Sequence, residues 1–216
     1  MMKYEMIIFD LDGTLWETEK ISYKTANAVL KKYEPDKEIT MEVIKSTMGC
    51  TYAQTAEMYM PYYDVEKREK ILGQMLDLNA IILSEFGGNV YKNLKETLDI
   101  LSKNYKLAIV SNCADGYIES FLHSSKLENY FIDYMAAAKY KVTKAEAIRQ
   151  VIERNNIDLA IYVGDTINDY KATIGAEIDF IQAKYGFGED LCTEYSIEDI
   201  SELPKLLDEI QYVSVL

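Results

Sequence analysis

The chain has 216 residues, 49% hydrophobic and 27% charged, with a formal net charge of -13. That length can bury a sizeable core, as one large domain or a main domain with an insert, and the composition is ordinary for a globular protein in water. The acidity argues against nucleic acid and anionic membrane as partners, because both require basic surface. An anionic small molecule stays open, since a metal ion and a few lysines reverse the field locally. Cys50, Cys113 and Cys192 are far apart, odd in number and without metal-type spacing, and His123 has no histidine neighbour in the sequence. They read as reduced, mostly structural thiols and a surface or half-buried imidazole. No run approaches membrane-spanning length and the first strand begins almost at once, so a cytoplasmic protein without a signal peptide is expected.

In chain order, the first apolar run is Met6-Ile7-Ile8-Phe9, followed directly by Asp10-Leu11-Asp12-Gly13-Thr14-Leu15. Four consecutive apolar residues predict a strand buried on both faces. Alternate residues of an extended chain face one side, so Asp10 and Asp12 are expected to converge at its carboxyl end, where open α/β sheets bind ligands. Gly13 lets the chain turn away. Two carboxylates this close repel unless a cation sits between them or one holds a proton, and phosphoryl transfer uses both remedies.

Residues 17–86 then show only helical periodicity. Ile71, Leu72, Met75, Leu78 and Ile82 fall at helical spacing behind a candidate N-cap, Asp64. Met48-Gly49-Cys50-Thr51 and Met60-Pro61-Tyr62-Tyr63 interrupt that pattern. Either break could face a phosphate site, but both read first as ordinary connectors between packed helices. Gly87-Gly88 reads equally as a hinge or a plain turn.

Beyond it, strand-like runs at 106–110, 133–137, 159–163 and 179–182 join the first at 5–9, with helical patterns such as 94–103 and 116–125 between most of them. Alternation of this kind predicts an α/β fold with a parallel sheet and covering helices. The tail, 197–216, reads as a last helix at about 202–210 with an apolar end.

Three later positions carry matching chemistry. The run 107–110 ends in Ser111-Asn112, whose hydroxyl and turn N–H groups suit phosphoryl oxygens, although such residues also end strands routinely. Thr143-Lys144-Ala145-Glu146 reads as a capping box that sets Lys144 in a first helical turn. A positive charge there opposes the helix dipole by roughly 0.3–1 kcal/mol, and a shared phosphate would offset the conflict. Lys139 and Lys141 are rival cations. The run 160–163 ends in Gly164-Asp165-Thr166-Ile167-Asn168-Asp169, with Asp165 in the position that Asp10 takes on its own strand. Asp10, Asp165 and the carbonyl of Asp12 would meet the oxygen demand of Mg²⁺. Asp169 reads either as a helix cap or as a second layer holding a water or a lysine.

The ordered set Asp10-Leu11-Asp12-Gly13-Thr14-Leu15, Ser111-Asn112, Lys144 and Gly164-Asp165-x-x-x-Asp169 resembles the four motifs of the haloacid dehalogenase-like hydrolases. The resemblance runs from about residue 5 to Tyr185-Gly186-Phe187-Gly188. An insertion after the first motif is similar to the helical cap of the phosphoglycolate phosphatase and β-phosphoglucomutase branch. What it implies is a Rossmann-like core (1–16 and 87–216) with a mobile all-helical cap domain (17–86). Trp16-Glu17 departs from the usual small aliphatic residue and aspartate; Trp16 either lines the site entrance or packs against the cap.

The expected activity is Mg²⁺-dependent hydrolysis of a small phosphorylated metabolite. Asp10 attacks phosphorus, Asp12 moves the proton, Asp10, Asp12 and Asp165 hold the metal, Ser111, Asn112 and Lys144 bind phosphate, and Asp169 supports them. A phosphosugar mutase is the main alternative. A dehalogenase is disfavoured by Asp12, phosphonate cleavage would need a cap lysine such as Lys20 or Lys24, and an inactive binding scaffold would not need the full set. Nothing in the sequence sets an oligomeric state.

Overall fold

The computed structural model describes residues 4–213. In chain order it contains β1 (Met6–Phe9), β2 (Trp16–Glu17), α1 (Glu19–Leu30), α2 (Met41–Ser46), α3 (Tyr52–Tyr59) and α4 (Val65–Phe86). There follow β3 (Asn89–Val90), α5 (Leu94–Leu101), β4 (Lys106–Ser111), α6 (Tyr117–Ser125), β5 (Asp133–Ala136) and α7 (Ala137–Tyr140). The chain ends with α8 (Lys144–Arg154), β6 (Ala160–Gly164), α9 (Ile167–Ala176), β7 (Asp179–Ala183), β8 (Tyr195–Ile197) and α10 (Leu203–Val213). The apolar end of the tail lies outside the described residues.

Six strands form one sheet in the order β5-β4-β1-β6-β7-β8, with every pairing parallel. The first strand is therefore central, and its run of apolar residues is explained by burial on both faces. Ile7 and Phe9 point into one apolar layer with Leu98, Phe121 and Leu207 from α5, α6 and α10. Met6 and Ile8 point into the other with Ala147, Ile148 and Val151 from α8 and Ala172 from α9. Helices thus cover both faces of a Rossmann-like parallel sheet, the α/β architecture expected from the alternating pattern.

Helices α1–α4 build a third apolar cluster of their own, centred on Val29, Leu30, Ile44, Ile71, Leu72 and Met75. Asp64 caps α4 by accepting from the Lys67 N–H. Leu83, near the end of α4, joins the main core, and half-buried Ile21 of α1 packs against it. The two chain crossings between these parts pair as a short antiparallel ribbon, Trp16 with Val90 and Glu17 with Asn89. Strands of two residues carry no period, which is why β2 and β3 escape a sequence reading; β8 was also missed. Gly87 ends α4 at φ 70°, and the ribbon begins two residues later.

Trp16 joins the main core, in one apolar cluster with Leu83 of α4. It is fully buried and packs edge-to-face on Tyr117 and Phe121 of α6, at centroid distances of 5.4 and 5.1 Å. Aromatic packing in the main core outweighs any exposure at the site mouth. Among the described residues, no helix is long and apolar enough to cross a membrane.

Candidate active site

The parallel register brings the chemistry to one sheet edge. Phe9 aligns with Ile109 on β4 and Val163 on β6, so Asp10 leaves the sheet beside Val110 and Gly164, and its N–H donates to the Val163 carbonyl at 2.8 Å. Asp165 and Ser111 lie one residue further along their strands. The expected equivalence of Asp10 and Asp165 is thus off by one position, because β6 runs a residue longer before it turns.

Asp10 and Asp12 border one cavity, although the chain between them is not extended. The chain bends at Leu11, and the Thr14 and Leu15 N–H groups fold back onto the Leu11 carbonyl. Extended geometry ends there, and alternation with it. Gly13 makes the turn at φ 82°, where a Cβ would sit 2.2 Å from Asp165 Oδ2. The carboxylates that converge are Asp10, Asp165 and Asp169, all buried, with ligand atoms within 4.8 Å of one another.

Lys144 enters this cluster from the start of α8, whose capping box of Thr143 and Glu146 forms as expected. Its ammonium, only 5% exposed, donates to Asp10 Oδ1 at 2.7 Å and to Asp169 Oδ1 at 2.5 Å. Burial by itself lowers the pKa of this lysine, but Asp10 and Asp169 overcome that and hold it well above its usual value. Asp169 is not the helix cap itself but the third residue of a capping box on α9: its Oδ2 accepts from the N–H and hydroxyl of the N-cap Thr166, while Oδ1 meets the lysine. Of the rivals, Lys139 pairs with Asp115 at 2.7 Å and Lys141 is exposed at the end of α7.

Three carboxylates against one ammonium leave two negative charges to be balanced. Burial first, then the charge of Asp169, raises the Asp10 carboxyl to about 7. The same two causes in the same order push Asp165 well above the usual carboxylate range. Asp165 Oδ2 accepts from the Phe187 N–H at 2.7 Å, while its buried Oδ1 has no hydrogen-bond partner. Gly188 crosses so close that a Cβ would lie 1.9 Å from the Asp165 carbonyl oxygen. An orphaned carboxylate oxygen beside two further carboxylates fits a hard divalent cation, which wants oxygen donors and would supply the missing charge.

Asp12 has hydroxyl partners of its own. The hydroxyls of Thr18 and Tyr117 donate to its Oδ1 at 2.7 and 2.9 Å, and they lie 3.1 Å from each other. Burial raises the Asp12 pKa, with these two donors pulling against it.

Asp10, Asp12, Ser111 and Asn112 border a cavity of about 150 Å³ between the sheet edge and the α1–α4 helices. Ser111, the last residue of β4, is buried. The Asn112 amide donates to the Gly49 carbonyl at 3.0 Å, and Asn168 donates to the same oxygen at 3.2 Å. The break at Met48-Gly49-Cys50-Thr51 is therefore no mere connector: its first three residues border the cavity, and the loop after β4 and the first turn of α9 both bond to it. Met60-Pro61-Tyr62-Tyr63 remains one, absent from the cavity wall.

Several site residues escaped the sequence reading. Thr18, Tyr117 and Asn168 act through contacts spanning 6, 105 and 119 residues, and no local pattern reports such pairs. The Gly186-Phe187-Gly188 spacing after β7 did offer a signal for a close backbone approach.

A family model for haloacid dehalogenase-like hydrolases matches residues 7–183. The chain belongs to that family. It is similar to a pyrophosphatase PpaX of Listeria innocua, 28% identical over 180 residues and covering 81% of each chain. A phosphoglycolate phosphatase of Aquifex aeolicus is 26% identical over 211 residues, covering 94% of this chain and 96% of that one. Among solved structures, a haloacid dehalogenase-like family hydrolase from Streptococcus pneumoniae superposes with a TM-score of 0.83 at 18% identity, covering 95% and 99%. That likeness establishes the fold of this hydrolase.

Proposed function

We propose that this hydrolase is a Mg²⁺-dependent phosphatase that cleaves a small phosphomonoester through an aspartyl phosphate on Asp10. It acts on small phosphate substrates, in line with relatives named pyrophosphatase and phosphoglycolate phosphatase. The observation that carries the reading is the buried cluster of Asp10, Asp165, Asp169 and Lys144, of which Asp10 borders the cavity. Mg²⁺ held by Asp10, Asp165 and the Asp12 carbonyl would neutralise phosphoryl oxygens when bound.

Phosphate-monoester hydrolysis needs accelerations of up to ~10²¹-fold, so the work is divided between two displacements. Lys144 fixes Asp10 Oδ1 and so orients its carboxylate toward phosphorus. Ser111 and the N–H groups of the following turn meet the equatorial oxygens. Asp12, with its raised proton affinity, gives a proton to the departing alkoxide and later takes one from the attacking water. Thr18 and Tyr117 keep its other oxygen in place for both transfers.

Residues 17–86 act in this reading as a cap over a core of 1–16 and 87–216, a division supported by the separate apolar cluster and the narrow β2–β3 ribbon. The Asn112 and Asn168 contacts to Gly49 hold the cap loop down while water is excluded. A cytoplasmic setting and a free small-molecule substrate belong to the same proposal.

Purified protein is expected to hydrolyse p-nitrophenyl phosphate with Mg²⁺, to fall silent in EDTA and to recover when Mg²⁺ is restored. Turnover that persists in EDTA would remove the metal from the reaction. A finer check is Asp12→Asn, which should cost alkyl phosphates about 10²–10⁴-fold in kcat, the usual worth of a general acid. p-Nitrophenolate leaves without a proton, so its ester should lose much less. Equal losses on the two esters would count against the proton-transfer role.

A further inference from the structure

We infer that the alcohol released by this enzyme is uncharged, with an apolar face and a hydrogen-bonding edge. This rests on the phosphatase reading and narrows its substrate class. Among the described residues, the charged ones bordering the cavity are Asp10, Asp12 and Asp115, and no lysine, arginine or histidine borders it. Lys144 is committed to Asp10 and Asp169 below the floor, where it serves the transferring phosphoryl group. Lys139, near the mouth, is paired with Asp115.

The cap side of the cavity is apolar along Met48, Leu72, Met75 and Leu76, with the Tyr59 ring beside them. One edge is polar but neutral. The Thr25 hydroxyl donates to Asn79 Oδ1 at 3.2 Å, and Asn79 Nδ2 lies 3.5 Å from Ser22 Oγ. The start of α3 also reaches the cavity, yet its capping box spends the Thr51 and Gln54 N–H groups on each other's side chains. A carboxylate or second phosphate on the leaving group would be taken from water into this wall with no cation to meet it, beside two aspartates of the same sign. A neutral alcohol loses nothing there: its carbon skeleton covers the methionines and leucines, and a hydroxyl or carbonyl meets Ser22, Thr25 and Asn79.

The consequence separates this chain from what its relatives' names say of them, since pyrophosphate and phosphoglycolate both carry an anionic leaving group. The test compares butyl phosphate with 3-phosphooxypropanoate, which bears a carboxylate in place of the terminal ethyl, and with pyrophosphate, all at saturating Mg²⁺. Butyl phosphate is expected to show a kcat/KM about 100-fold higher than either anion, as an unpaired buried charge requires. Leu76→Lys, which sets a cation in the apolar wall, should move the ratio toward 3-phosphooxypropanoate by about tenfold or more. A wild-type preference for pyrophosphate or for the carboxylated ester overturns the inference and leaves the phosphatase reading standing. Failure to turn over any of the three, with p-nitrophenyl phosphate equally inert, overturns both.

Discussion

Asp10→Asn is expected to lower phosphatase turnover by at least ~10⁴-fold, about 5 kcal/mol of transition-state stabilisation at 1.36 kcal/mol per decade. The amide keeps the shape of the side chain and can still meet the Lys144 ammonium through its oxygen, but it is no nucleophile at phosphorus. The fold should survive the change. Burial and Asp169 disfavour the ionised Asp10 carboxyl, so replacing it with a neutral group removes repulsion from the cluster, and Lys144 keeps Asp169 as its partner. Thermal unfolding should therefore show a Tm close to that of the wild type. Acid quenching during turnover of a phosphorus-labelled substrate should trap label on the wild-type chain and none on the variant. Activity of the variant within tenfold of wild type would take the nucleophile's role away from Asp10.

Lys144→Met is expected to lose both activity and stability. The lysine is the one cation in contact with the acidic cluster among the described residues, bridging Asp10 and Asp169. Removing one partner of a buried ion pair leaves the other charge uncompensated, typically at about 3–5 kcal/mol. Methionine fills much of the space, so the loss is electrostatic rather than a cavity effect. The carboxylates respond by taking up protons, and a divalent cation competes with those protons for the same oxygens. Chemical denaturation without metal should show the full deficit, and added Mg²⁺ should restore part of it, while turnover stays low because the phosphoryl oxygens have lost their fixed cation. Wild-type stability in the variant would mean that Lys144 does not hold the cluster together.

The main strands and the polar groups that follow them are legible because each is announced locally. β1, β4 and β6 are unbroken apolar runs followed at once by polar groups, which places Asp10, Ser111 and Asp165 at one sheet edge from sequence alone. Lys144 was legible through its helix start, since Thr143 and Glu146 form a cap whose pattern lies within four residues. Helical period in 17–86 likewise foretold a helical unit with Asp64 at the head of α4. The reading failed where a local rule was carried past its range. Alternation does not hold past the bend at Leu11, and it gave no sign of the Thr18 and Tyr117 hydroxyls that meet Asp12. The loop at Gly49 looked like a turn because its partners, Asn112 and Asn168, belong to other segments.

What the sequence by itself determined is the order of parallel elements, the helical insertion and the identity of the acidic, hydroxyl and lysine groups, all of them consequences of periodicity and of short-range backbone chemistry. Tertiary structure alone decided which groups meet. Strand register set Asp165 one step beyond Asp10, the turn at Gly13 sent Asp12 toward the α6 hydroxyl, and Trp16 was drawn into the core by Tyr117 and Phe121. It also decided the character of the cavity. Whether a wall carries a cation depends on which side chains from α1, α3 and α4 point inward together, and that is fixed by how the helices pack, not by any one helix's own pattern.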